Sequence, residues 1–101
     1  MMRQYEGTFF FNPDLDENAL TSELTAFEEL IKNLGGKMDN RSIPTKSEMG
    51  YRIKKKKEGY LVIFAFEIEP IKIQELSQAL NLKETILRFT IIVQKNKEAV
   101  L

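Results

Sequence analysis

The sequence predicts an α+β fold in which two β-α-β halves are joined by a hairpin, and three observations carry that reading. Aromatic and β-branched runs with a period of two occur near both ends and in the middle of the chain. Two intervening stretches hold their apolar residues at helical spacing. Proline, asparagine and glycine fall at the joints between these segments.

Gln4 to Phe11 contains Tyr5, Thr8, Phe9, Phe10 and Phe11 and ends at the breaker Asn12-Pro13, which predicts a first strand. Asp16 then stands as a helix N-cap with Glu17 in the first turn, and Leu20, Leu24, Phe27, Ile31 and Leu34 form one helical stripe. Gly35-Gly36 ends that helix, because glycine adopts the left-handed conformation without a side-chain clash. Lys37 to Lys54 is mostly polar, with sparse apolar positions at Met38, Ile43, Met49, Tyr51 and Ile53, and predicts one strand at a sheet edge. Pro44 agrees, since a residue without an amide hydrogen is tolerated at an edge or a bulge and not in a central strand.

The polar run Lys54-Lys55-Lys56-Lys57-Glu58-Gly59 reads as a hairpin loop. Tyr60 to Ile68 is apolar on both alternating faces, with Val62, Phe64, Phe66 and Ile68 on one of them, and predicts a central strand. Glu69-Pro70 opens a short second helix carrying Ile73, Leu76 and Leu80, with proline suited to its first turn. A last strand is expected from about Ile86 to Lys95, with Phe89, Ile91 and Val93 on one face and Arg88, Thr90, Ile92 and Gln94 on the other. Asn96 to Leu101 forms a tail without a strong pattern.

Right-handed crossovers place the first and third predicted strands in the centre of a four-stranded antiparallel sheet, the second and fourth at its edges, and both helices on one face. This is the ferredoxin-like βαββαβ plait. Its uncovered face is expected to carry Thr8, Phe10, Leu61, Ile63 and Ile92, a set more apolar than solvent contact alone requires.

With 101 residues the chain is expected to form one domain, 1–101, and its 43% hydrophobic and 30% charged residues are those of a soluble globular protein. The apolar run Tyr60 to Phe66 is too short to span a bilayer, and Met1-Met2-Arg3 opens into a strand rather than a signal peptide, so no membrane partner and a cytoplasmic location are expected. Cysteine and histidine are both absent, which removes disulfides, thiol nucleophiles, imidazole bases and the common zinc ligand sets. A metal site would need carboxylates alone, and their spacing is not that of ligands. No glycine-rich phosphate loop or nucleophile elbow is present. The expectation is a protein that is not an enzyme and has no cofactor, no metal and no small-molecule substrate.

Fifteen basic and fifteen acidic residues cancel, but their distribution does not. Asp14, Asp16, Glu17, Glu23, Glu28 and Glu29 are uninterrupted by a basic residue, whereas Arg52, Lys54, Lys55, Lys56 and Lys57 stand together unopposed. Four consecutive lysines repel one another unless solvated or met by an anion. Solvation alone accounts for many such runs; a hairpin tip flanked by Tyr51, Arg52 and Tyr60 also supplies the phosphate-binding and stacking groups that RNA requires. The strand Tyr60-Leu61-Val62-Ile63-Phe64-Ala65-Phe66 lacks the glycine-aromatic consensus of the standard RNA-recognition motif.

Arg3-Gln4-Tyr5-Glu6, Asn12-Pro13-Asp14-Leu15-Asp16, Gly50-Tyr51-Arg52-Ile53-Lys54 and Gly59-Tyr60 together resemble the bacterial small-subunit ribosomal protein six family, from Met2 to about Lys95 and without insertions. The resemblance implies a ferredoxin-like fold, binding to the central domain of small-subunit ribosomal RNA, and partnership with small-subunit ribosomal protein eighteen. By position it carries RNA-facing or neighbouring roles onto Arg3, Tyr5, Tyr51 and Lys55, and Arg88 matches a basic position of the family's last strand. The chain departs from the family at Thr45-Lys46-Ser47-Glu48-Met49-Gly50-Tyr51, where two expected positive charges are missing; Lys46 and the Lys54 to Lys57 run are candidates to compensate. The rival reading is a non-ribosomal ferredoxin-like regulatory or ligand-binding domain that dimerises through its sheet.

Overall fold

The computed structural model describes residues 1–94. In chain order it contains β1 (Arg3–Phe11), α1 (Glu17–Asn33), β2 (Lys37–Arg41), β3 (Thr45–Ile53), β4 (Lys56–Ile68), α2 (Ile73–Asn81) and β5 (Ile86–Val93), with a 3-10 turn over Pro70–Lys72 leading into α2. The last strand thus ends at Val93, while Lys95 and the tail from Asn96 lie outside the described residues.

β1 and β4 are the central pair, as the apolar patterns predict, with Arg3 opposite Ile68 and Phe11 opposite Tyr60. β5 flanks β1 on the far side, and every pairing is antiparallel. Alternation along the strands sends Tyr5, Phe9 and Phe11 to the same face as Val62, Phe64, Phe66 and Ile68. Both helices cover that face: Leu20, Leu24, Phe27 and Ile31 of α1 and Leu76 and Leu80 of α2 join those strand residues in one buried cluster. Phe27 brings the helix into the aromatic cluster, with its ring centroid 4.5 Å from that of Phe64, 4.9 Å from Phe9 and 5.6 Å from Phe66. Tilted and edge-on contacts at these separations add about 0.5–1.5 kcal/mol each beyond buried area. Lys83 and Glu23, 3.2 Å apart, tie the end of α2 to α1.

The ends of α1 follow from its sequence. Asp16 Oδ1 accepts the Ala19 amide at 2.7 Å, satisfying one of the donors that a helix N-terminus leaves free. At the other end Gly36 N–H donates to Ile31 O at 2.8 Å and Gly35 N–H to Lys32 O at 3.0 Å, the paired bonds of a Schellman motif. Gly35 takes φ +83°, and a side chain at Gly36 would lie 2.5 Å from the Glu67 carbonyl. The first glycine therefore turns the chain, and the second lets it pass close to β4.

The structure corrects the predicted strand count from four to five. The single edge strand expected over Lys37 to Lys54 is two strands, β2 and β3, that follow one another along the same edge of β4. Arg41 pairs with Phe64 and Thr45 with Leu61, so the three residues Ser42 to Pro44 oppose only Val62 and Ile63. The excess residue and the missing amide of Pro44 break the ladder, and Ile43 is pushed out to 83% exposure. A second correction concerns the hairpin loop, expected over Lys54 to Gly59: it is the two-residue turn Lys54-Lys55, and β4 already begins at Lys56. Ile53 and Lys56 are paired across it.

Candidate nucleic-acid interface

Lys54 and Lys55 have φ of 52° and 69°. Positive φ at both central residues is what a type I′ turn demands, because its twist matches that of the flanking strands. Asparagine and glycine fill such turns easily; an L side chain is disfavoured there by about 1–2 kcal/mol per residue. Two lysines thus occupy a strained tip, a local cost that chain reversal alone does not require.

The hairpin also overhangs the sheet. β1 accompanies β4 only as far as Tyr60, so Lys56 to Gly59 extend beyond it. Across that gap the hairpin reaches other elements. Lys56 Nζ lies 2.6 Å from Asp14 Oδ2, in the connection between β1 and α1. Lys54 Nζ donates to the Ile86 carbonyl at 3.4 Å, at the start of β5. Arg88 Nη1 donates to Tyr51 Oη at 2.8 Å, and its guanidinium lies 5.7 Å from the Tyr51 ring centroid. Arg88 pairs with Phe10 and so belongs to the sheet face that the helices leave uncovered.

Of the residues singled out in the sequence, the structure gathers Tyr51, Arg52, Lys54, Lys55, Lys56, Lys57 and Arg88 around this overhang. Arg52, Lys55 and Lys57 are exposed and have no hydrogen-bond or ion-pair partner among the described residues. Arg52 and Lys57 border a cleft of about 400 Å³ together with Glu48, Gly50 and Tyr51. Glu48 faces Glu58 in the strand register, so this cationic region has an acidic pair beside it. Lys46, the suggested substitute for the missing charges, lies over the Tyr60 ring at 5.4 Å to the centroid. Tyr60 is half-buried beneath it rather than displayed.

Two candidates stand elsewhere. Arg3 is exposed but pairs with Ile68, at the opposite end of β4 from Lys56. The two positions are the ends of a 13-residue strand, about 40 Å apart along its path. Tyr5 is 5% exposed and stacks on Phe66 at 5.9 Å between ring centroids. Its ring is core, so the family position that draws attention to Tyr5 coincides with a packing role. The signal was available, since Tyr5 shares its strand parity with Phe9 and Phe11. Asp14 enters the sequence reading only through the acidic run and the family motif, and nothing local marks it as a partner of the hairpin, because Lys56 is 42 residues away.

The uncovered sheet face holds the expected residues. Thr8, Phe10 and Leu61 are partly buried, and Ile63 and Ile92 are more exposed, at 37% and 59%. Among the described residues no cluster of three or more acidic side chains is arranged to hold a metal. No described helix is long and apolar enough to cross a membrane.

Comparison with known proteins gives consistent matches. The family model described as ribosomal protein S6 matches residues 4–93. The small ribosomal subunit protein bS6 of Micrococcus luteus is 40% identical over 91 residues, covering 90% of this chain and 90% of that protein. The protein of the same description from Clostridium botulinum type Ba4 is 34% identical over 94 residues, covering 93% of this chain and all of its own length, 100%. The crystal structure of 30S ribosomal protein S6 from Thermotoga maritima superposes with a TM-score of 0.86 at 23% identity, over 93% of this chain and 89% of that one, and shares the fold.

Proposed function

The chain belongs to the ribosomal protein S6 family, and from that premise we propose that it is a structural RNA-binding constituent of the bacterial small ribosomal subunit, working in the cytoplasm as part of the ribosome. It binds the central domain of small-subunit ribosomal RNA together with small-subunit ribosomal protein eighteen. Its action is binding and not turnover.

The observation that carries the RNA half is the overhanging hairpin, where Arg52, Lys55 and Lys57 stand exposed and unpaired among the described residues. Phosphate contacts of this kind position a protein on RNA without reading its sequence. Arg3, at the other end of β4, supplies a second and separate phosphate contact. The protein half is supported by the uncovered sheet face, where Ile63 and Ile92 are exposed beside Phe10 and Leu61. An apolar surface of that type suits a protein partner.

The same face favours the rival reading, a sheet-mediated dimer with no RNA role. Sedimentation of a lysate separates the two. A ribosomal protein migrates with the small subunit, and a free regulatory dimer stays near the top of the gradient. Binding to RNA then tests the hairpin: replacing Lys54, Lys55, Lys56 and Lys57 by alanine should weaken affinity and flatten the dependence of log K on log salt, by about 0.7–0.9 for each phosphate no longer neutralised. An unchanged slope removes the hairpin from the interface.

A further inference from the structure

The cations of the hairpin are not equivalent, and the inequality is one of engagement. Lys56 is the half-buried member of the run, and its ammonium is held by Asp14. Lys54 donates to a main-chain carbonyl of β5, and Arg88 is turned toward Tyr51. These bonds reach 42, 32 and 37 residues along the chain and end on the β1-α1 connection and on β5. They close the gap that β1 leaves beside the overhang. Lys55, at the very tip, and Arg52 and Lys57 behind it point to no partner among the described residues.

We propose that the members of this cationic group have two different roles. Lys54, Lys56 and Arg88 are positioning residues that brace the hairpin against the body of the protein, and Arg52, Lys55 and Lys57 make the phosphate contacts. The division deepens the RNA-binding reading and rests on it. Its physical basis is preorganisation. An overhanging two-stranded segment without its braces samples many orientations, and that freedom must be given up when RNA binds. A segment already held presents its free cations in one arrangement. Arg88 therefore acts through Tyr51, by a hydrogen bond and by the cation-ring contact, and not by touching RNA.

Asp14 provides the decisive test, because its removal has opposite consequences under the two assignments of Lys56. Asp14→Asn deletes a negative charge beside a cationic surface, which by charge alone tightens RNA binding. If Lys56 is a brace, the same change loosens the hairpin and weakens binding. The measurement is the affinity of the full chain, with small-subunit ribosomal protein eighteen present, for a transcribed central-domain fragment of small-subunit ribosomal RNA over a series of salt concentrations. Asp14→Asn and Tyr51→Phe are each expected to weaken binding about two- to fivefold with the salt slope unchanged, the range that an exposed ion pair or hydrogen bond supports. Asp14→Glu restores the affinity. Lys55→Ala combined with Lys57→Ala flattens the slope by about 1.4–1.8. Thermal midpoints of the variants show that they remain folded; Asp14 is 71% exposed and its replacement leaves the core intact.

Equal or tighter binding by Asp14→Asn, or a slope steepened by about one, means that Lys56 is released to meet a phosphate and overturns the division. An unchanged slope for the Lys55 and Lys57 pair overturns it from the other side. In both cases the unsubstituted protein still binds, so the functional reading survives. Failure of the unsubstituted protein to bind the fragment overturns that reading, and the division with it.

Discussion

The hydroxyl of Ser42 accepts the Ile63 amide at 2.9 Å while the Ser42 amide donates to the Ile63 carbonyl at 2.8 Å, so one residue serves both polar groups of Ile63 where the ladder breaks. Ser42→Ala leaves the Ile63 N–H without its partner. Ile63 is partly solvated at 37% exposure, so the loss falls at the low end of the range for an unmade hydrogen bond, about 1 kcal/mol. Denaturant unfolding measures it as a lowered midpoint with an unchanged slope. A variant as stable as the parent would show that water takes over the amide at no cost.

The two glycines after α1 should respond very differently to the same substitution. Gly35→Ala places a side chain in open space but keeps φ +83°, which costs about 1–2 kcal/mol. Gly36→Ala drives a methyl to 2.5 Å from the Glu67 carbonyl and 3.0 Å from Ile31 Cγ2. Neither neighbour can retreat without moving β4 or the core. Equilibrium unfolding should therefore show Gly36→Ala as the more damaging change by at least about 1 kcal/mol, and a reversed order would contradict this packing.

At the hairpin, stability and binding are expected to move in opposite directions. Replacing Lys54 by Asn and Lys55 by Gly supplies the residues that positive φ favours at both turn positions. The double variant should be more stable by about 1 kcal/mol, part of the strain relief being offset by glycine's greater freedom when unfolded. Its affinity for the ribosomal RNA fragment should fall, and its salt slope should flatten by about 0.7–0.9 if one phosphate is no longer neutralised. Calorimetry on one side and salt-dependent binding on the other make the comparison. Gain in both would show that the lysines at the tip serve neither end.

Tyr5 separates packing from recognition. Its ring is buried against Phe66, so Tyr5→Ala should cost about 3–5 kcal/mol, as other large-to-small aromatic substitutions do in cores. For a protein of ordinary stability, about 5–15 kcal/mol in all, that is a large share. Tyr5→Phe keeps the ring and should leave RNA affinity within twofold. A folded Tyr5→Phe protein with greatly weakened binding would place the hydroxyl, not the ring, at the RNA.

Much of this architecture is written locally. Asp16 and the Gly35-Gly36 pair bound α1, and the stripe from Leu20 to Ile31 names the face it buries, because helix ends and helix faces depend on residues within a few positions of one another. The central place of β4 is equally legible: Val62, Phe64, Phe66 and Ile68 are buried beneath the helices, and an apolar strand of that kind tolerates solvent poorly on either side. The parity of β1 even marks Tyr5 as core, although family position draws attention to it as an RNA neighbour.

What the local pattern leaves open is decided by partners distant in sequence. Pro44 signals an interruption, but whether it bends one strand or divides two depends on the register of Arg41 and Thr45 against β4. The lysine run reads as four like charges on a loop. The fold places two of them in the turn and two in a strand, and sets Lys56 on Asp14 and Lys54 on the Ile86 carbonyl. Composition and periodicity thus determine that the chain carries a cationic hairpin on an α+β sheet. Which of its cations remain unpaired is a matter of tertiary contact, because ion pairs and ladder register form between segments whose separation in sequence carries no local signal.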